Sequence, residues 1–192
     1  MICIIDCGSS FIDDVKKNLT DLGYPYKIIS MNKIENFSFN PFSGIIISGS
    51  PILLTETGKV KYEKLFKFLK TMNIPVLGIF FGHQITGLVF GSKIYKLSKA
   101  VSKKERIRIV KADALFSGIK VVSFFREEHQ ECITLPKGFD LLAKSGSCDN
   151  ESMKHKKRNI YGIQFHPEIS GKNGKIILKN FLKLCSETRL SK

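Results

Sequence analysis

Residues 78–84 read Gly78-Ile79-Phe80-Phe81-Gly82-His83-Gln84, and the apolar run Ile74-Pro75-Val76-Leu77 precedes them. Two glycines bracket Phe80 where a buried strand hands over to a helix. A turn this sharp drives its central residue toward strained backbone, and small flanking residues relieve the crowding. Enzymes use that geometry to hold a Ser or Cys out of the sheet at a helix N-terminus, where the dipole and free amides stabilise negative charge. Phe80 has no proton to lose and no lone pair to attack with. The stretch predicts the scaffold of a reactive elbow without its reagent.

Outward from the elbow, strand and helix patterns alternate. Ile2–Asp6 is a short apolar run ending at Cys7-Gly8-Ser9-Ser10, and Phe11 to Leu22 has helical apolar spacing that stops at Gly23. Tyr26–Ser30 and Gly44–Ser48 read as strands, the second with the continuous apolar character of a strand buried on both faces. Gly58 to Met72 reads as one helix, Pro75–Phe80 as a strand and Gly82 to Phe90 as the helix after the elbow. From Lys93 to Leu142 the texture changes to short alternating strands, among them Arg106–Val110 and Val121–Phe125. Asn159–Phe165 is a further strand, and Lys175 to Leu184 a closing helix. These patterns predict a three-layer α/β domain, flavodoxin-like, with a mostly parallel central sheet and a small antiparallel β excursion, in a single domain over 1–192.

Composition narrows the class. At 192 residues and 43% hydrophobic, the chain suits one domain with a sizeable core. The apolar start is too short for a signal peptide, and no window approaches the roughly 20 apolar residues of a membrane span. The five cysteines (Cys3, Cys7, Cys132, Cys148, Cys185) are scattered without a CxxC pair. A reduced, cytoplasmic protein is expected rather than a disulfide scaffold. The net charge of +14 comes mostly from dispersed lysine, with denser runs at Lys103–Arg108 and Lys154–Arg158. Solvated faces are the plain reading. Docking on an acidic protein surface and nucleic-acid binding are the alternatives, the latter lacking the interleaved aromatics of single-strand readers.

In such sheets ligands bind beyond the C-terminal ends of the strands. Ser48-Gly49-Ser50-Pro51, the elbow, and Gln164-Phe165-His166-Pro167-Glu168 should converge there. His166 and Glu168 have the chemistry of a base and its orienting carboxylate, and the loop after Ile47 can offer amides to an oxyanion. Taken singly, each has a plainer reading as an ordinary turn. Taken together and in this order, the segments resemble class I glutamine amidotransferases. The likeness extends over nearly the whole chain, and is greatest to the amidotransferase subunit of archaeal GMP synthases.

That resemblance implies roles position by position. Phe80 stands where the family's cysteine attacks the glutamine amide, His166 where its histidine activates that cysteine, and Glu168 where a glutamate supports the histidine. Gly49 and Phe81 match the oxyanion amides, and Gln84 a residue beside the glutamine pocket. Ser50 replaces the second glycine of the loop. The segment Glu127-Glu128-His129-Gln130 departs from a Ser-His-x-Asp pattern, with Glu128 at the histidine and Gln130 at the aspartate. The expectation is an amidotransferase-like pseudoenzyme in which the elbow relaxes or Phe80 fills the vacant pocket. Its partner would be a synthetase (ATP-pyrophosphatase) subunit, with glutamine binding left open. A working glutaminase subunit using another cysteine, such as Cys7 or Cys132, and a basic nucleic-acid adaptor are the alternatives. No cofactor, metal or membrane partner is expected.

Overall fold

Strand β1 (Ile2–Asp6) shows how the layers arise. Successive side chains of a strand point to opposite faces. Cys3 and Ile5 enter one apolar core, and Ile2 and Ile4 another on the far side. The same division holds in β3 (Gly44–Ile47), where Ile45 and Ile47 face the first core and Ile46 the second. A sheet buried on both faces needs helices on both, and the computed structural model, which describes residues 1–190 and side chains through Thr188, supplies them.

The second core is covered by α1 (Ile12–Asp21), through Val15 and Leu19, and by α4 (Gly171–Leu190), through Ile177, Leu178, Phe181 and Leu182. The first is covered by α2 (Lys59–Leu65) and α3 (Phe81–Val89), with Tyr62, Phe81, Ile85 and Leu88 inward. The helix expected over 58–72 is divided. α2 ends at Leu65, and a 3-10 turn follows over Lys67–Lys70. Phe66 is fully buried at the break, and Phe68 stacks on Phe39 at 4.7 Å between ring centroids. Both aromatic rings must reach the core within one turn, which tighter winding permits.

One nine-stranded sheet runs through the described chain, in the order β2-β1-β3-β4-β9-β8-β7-β5-β6. The first five, with β2 (Tyr26–Ser30), β4 (Val76–Ile79) and β9 (Ile160–Ile163), pair in parallel. The rest, β8 (Ser152–His155), β7 (Phe139–Lys144), β5 (Ile94–Ile109) and β6 (Val122–Ile133), continue it antiparallel. The antiparallel part is larger than the sequence suggests, because β5 and β6 form a ribbon of 16- and 12-residue strands. No described helix is long and apolar enough to cross a membrane.

Candidate active site

The elbow is held by close packing of backbone on backbone. A Cβ on Gly78 would overlap the Gly82 carbonyl, and one on Gly82 would overlap the Ile47 carbonyl. Only glycine lets α3 start this close to β3 and β4. Between them Phe80 adopts φ 52°, ψ −106°, the only positive φ outside glycine among the described residues. The expected relaxation of the turn does not occur. Phe80 N–H donates to the Ile163 carbonyl at 2.8 Å and its carbonyl accepts from Gln84 N–H at 3.0 Å, so the neighbouring strand and helix fix it from both sides. Strain of this kind persists where the surroundings over-determine it.

His166 lies across from the elbow. Its Nδ1 is 2.8 Å from Glu168 Oε1, and both side chains are buried. The second Glu168 oxygen has no hydrogen-bond partner among the described residues. The loop is tied to β6, since His166 N–H donates to the Arg126 carbonyl (2.9 Å) while Ser170 Oγ donates to the His166 carbonyl (2.6 Å) and accepts from Arg126 N–H (2.8 Å). Two aromatic rings flank the imidazole: Phe11 edge-on at 5.0 Å and Phe80 at 5.2 Å, tilted by 46°.

Gly49 sits where these groups meet. A Cβ there would lie 3.2 Å from Phe80 Cδ1, 3.3 Å from Ser9 Oγ and 3.4 Å from His166 Cε1. Phe81 is the first residue of α3, where amides have no intrahelical acceptor. Its side chain turns away into the core, edge-on to Tyr62. The three predicted segments are therefore brought together.

In front of Phe80 is a cavity of about 330 Å³. Its wall includes Ser50, Phe80, Glu128, Gln130 and His166. Phe80 is half-buried and walls the cavity without filling it, which narrows the expectation that it would occupy the whole pocket. Gln84 does not line this cavity. It is buried, and its Nε2 donates to the Glu131 carbonyl at 3.0 Å, so it fastens α3 to β6. Glu128 pairs with Arg126 at the mouth, at 2.6 Å. Ser9, Ser10 and Phe11, on the loop after β1, also line the cavity and carry no motif. Their signal is positional: β1 neighbours β3, so its following loop opens on the same edge.

None of the five cysteines lines the cavity, and all are buried and free of disulfides. Cys7 is the thiol at the end of β1. Burial, and next the Asp6 carboxylate, push its pKa well up, which disfavours the thiolate needed for attack. No three described His, Cys, Asp or Glu side chains group as metal ligands.

The chain belongs to the class-I glutamine amidotransferase family, whose profile matches residues 3–185. Within it, the chain is 38% identical to a glutamine-hydrolyzing GMP synthase subunit of Pyrococcus abyssi, over 97% of this chain and all of that one. The corresponding Methanocaldococcus jannaschii subunit is 31% identical over 96% of this chain and 97% of its own. A crystal structure described as a GMP synthase subunit from Thermoplasma acidophilum superposes with a TM-score of 0.90 at 28% identity, covering 99% and 96% of the two chains.

Proposed function

We propose that this protein is a binding or regulatory relative of the GMP synthase amidotransferase subunits that does not hydrolyse glutamine. One observation carries the reading: the elbow presents a phenyl ring where the covalent reaction needs a nucleophile. Glutamine hydrolysis on this scaffold forms a bond from a side chain at position 80 to the amide carbon, with His166 taking the proton and returning it to departing ammonia. Phe80 can make no such bond. The ring also stands against His166, on the side from which that base would reach a nucleophile.

The remaining parts support a binding role. Ser50, Glu128, Gln130 and His166 line an open cavity, and Gly49 and Phe81 keep their places beside the elbow. The partner proposed is a synthetase of the ATP-pyrophosphatase type, in the cytoplasm and in the context of purine biosynthesis. Glutamate release from glutamine, measured with and without that synthetase and its ligands, is expected at background. Turnover that disappears in His166→Ala overturns the proposal in favour of a working glutaminase. A nucleic-acid adaptor would instead show binding that weakens steeply with salt.

A further inference from the structure

Lysine recurs at every third position from Lys61 to Lys70, along α2 and the 3-10 turn that continues it. Lys61, Lys64, Lys67 and Lys70 are all exposed, and all line one groove of about 780 Å³. The rises of the two helix types put successive lysines about 4.5–6 Å apart along the axis. None of the four lies within ion-pair distance of a carboxylate among the described residues. Like charges spaced by a turn work against a helix. The row therefore costs stability that no internal partner offsets.

Beside the row the groove has an apolar floor. Leu65, Phe68 and Met72 come from one side, and Ile34, Phe37 and Phe39 from the other. Leu65, Phe68, Met72 and Phe37 are only half-buried. A hollow of about 360 Å³ carries the groove on past Met72 to Asn73 and Ile74. Glu35 is the one carboxylate in these walls. No residue of the groove lines the cavity in front of Phe80.

Charge and shape select the occupant. A small amphipathic anion carries its charge at one end and leaves most of the row unmatched. A membrane surface is broad, whereas this apolar floor is recessed beside its lysines. A nucleic-acid strand has phosphates to offer but needs free ring faces for its bases. Here Phe39 and Phe68 stack on each other at 4.7 Å, and Lys27 lies 5.9 Å over Phe37, which also packs on Phe39 and Phe42. An amphipathic helix matches both features. Its apolar stripe enters a groove through residues at i, i+3, i+4 and i+7, and carboxylates one turn apart beside the stripe, about 5.4 Å, meet the lysine row.

We propose that this groove docks an acidic amphipathic helix of a partner protein, with carboxylates on Lys61, Lys64, Lys67 and Lys70 and apolar side chains on Leu65, Phe68 and Met72. It is a second interaction surface, separate from the elbow, and it stands whatever chemistry position 80 supports.

The test titrates the full chain into a fluorescein-labelled helical peptide of about 18 residues, with leucine and phenylalanine at i, i+3, i+4 and i+7 and glutamates one turn apart beside them. Saturable binding with a dissociation constant below about 100 μM is expected, weakening as salt rises. A peptide with lysine in place of glutamate, and a scrambled peptide of the same composition, should bind at least about tenfold more weakly. Lys64→Glu/Lys67→Glu should weaken binding about tenfold or more. Lys104→Glu/Lys120→Glu makes the same charge change at exposed positions outside the groove, and should alter binding less than about twofold. The largest NMR shifts on binding should fall at Leu65, Phe68 and Met72. No saturable binding up to about 1 mM peptide, equal losses in the two double variants, or shifts centred elsewhere overturns the proposal. So does tighter binding of an oligouridylate strand, or of phosphatidylcholine–phosphatidylglycerol vesicles, that is lost in Lys64→Glu/Lys67→Glu. The peptide comparison and the shift map decide this even if a variant fails to fold.

Discussion

The Phe80 and His166 rings lie 5.2 Å apart at a tilt of 46°, so a hydrocarbon surface is turned toward the imidazole that Glu168 orients from behind. A base and its carboxylate are held in place with no acid proton in front of them. On the proposed reading the site lacks one functional group, and that reading can be tested by supplying the group.

Phe80→Cys is expected to form a glutamyl thioester with glutamine, visible as a mass increase at position 80. The double variant with His166→Ala should form it about 100-fold or more slowly, the lower range of a positioned base. Intact-protein mass spectrometry over time checks both. No adduct in folded Phe80→Cys would show that Ser50 and the Glu127–Gln130 segment have also closed the site to glutamine.

Glycine should beat alanine at the elbow. At φ 52° a Cβ is strained, so Phe80→Gly is expected to be more stable than Phe80→Ala by about 1 kcal/mol or more. This reverses the usual order, and equilibrium urea unfolding of the pair measures it. Alanine equal to or better than glycine would mean that the turn relaxes once the ring is gone.

Gly82→Ala is expected to destabilise by about 2 kcal/mol or more, since its Cβ would overlap the Ile47 carbonyl and the two backbones would have to part. Gly146→Ala is the control. It has ordinary φ and open space around it, and its urea midpoint should shift by less than about 0.5 kcal/mol equivalent.

His83 gives a pH signature. It is wholly buried, and burial lowers its pKa to about 3, with its nitrogens against backbone at Asn150 and Gly162 but lacking well-formed hydrogen bonds. Folded His83 stays neutral where the unfolded chain takes up a proton. Its contribution is therefore complete above the unfolded pKa of 6.5 and is lost as pH falls from there toward 3. Wild type should lose stability relative to His83→Gln by up to about 1.4 kcal/mol per pH unit over that interval. Urea unfolding of both proteins at several pH values checks the difference. Parallel curves would mean that His83 is charged in the folded protein.

The sequence by itself determined the parallel half of the fold and the sharp strand-to-helix turn between Gly78 and Gly82. Continuous apolar runs such as Ile45–Ile47 must be covered on both faces, and the Gly78–Gly82 spacing has little use besides a close strand-to-helix turn. His166 and Glu168 were legible because two residues along one loop suffice to bring them together. The length of the β5–β6 ribbon was not legible. Its lysine-rich outer residues hide the period of a strand whose hydrogen bonds go to a distant partner. Nor was it legible that Phe80 would stay at φ 52° and leave the cavity open, since that depends on what Ile163 and Gln84 hold in place. Nor was the bond from Gln84 on α3 to the Glu131 carbonyl on β6, since only tertiary packing brings those two segments together. Periodicity reports which face a residue takes, whereas strain, cavities and polar networks follow from what other segments bring to that face.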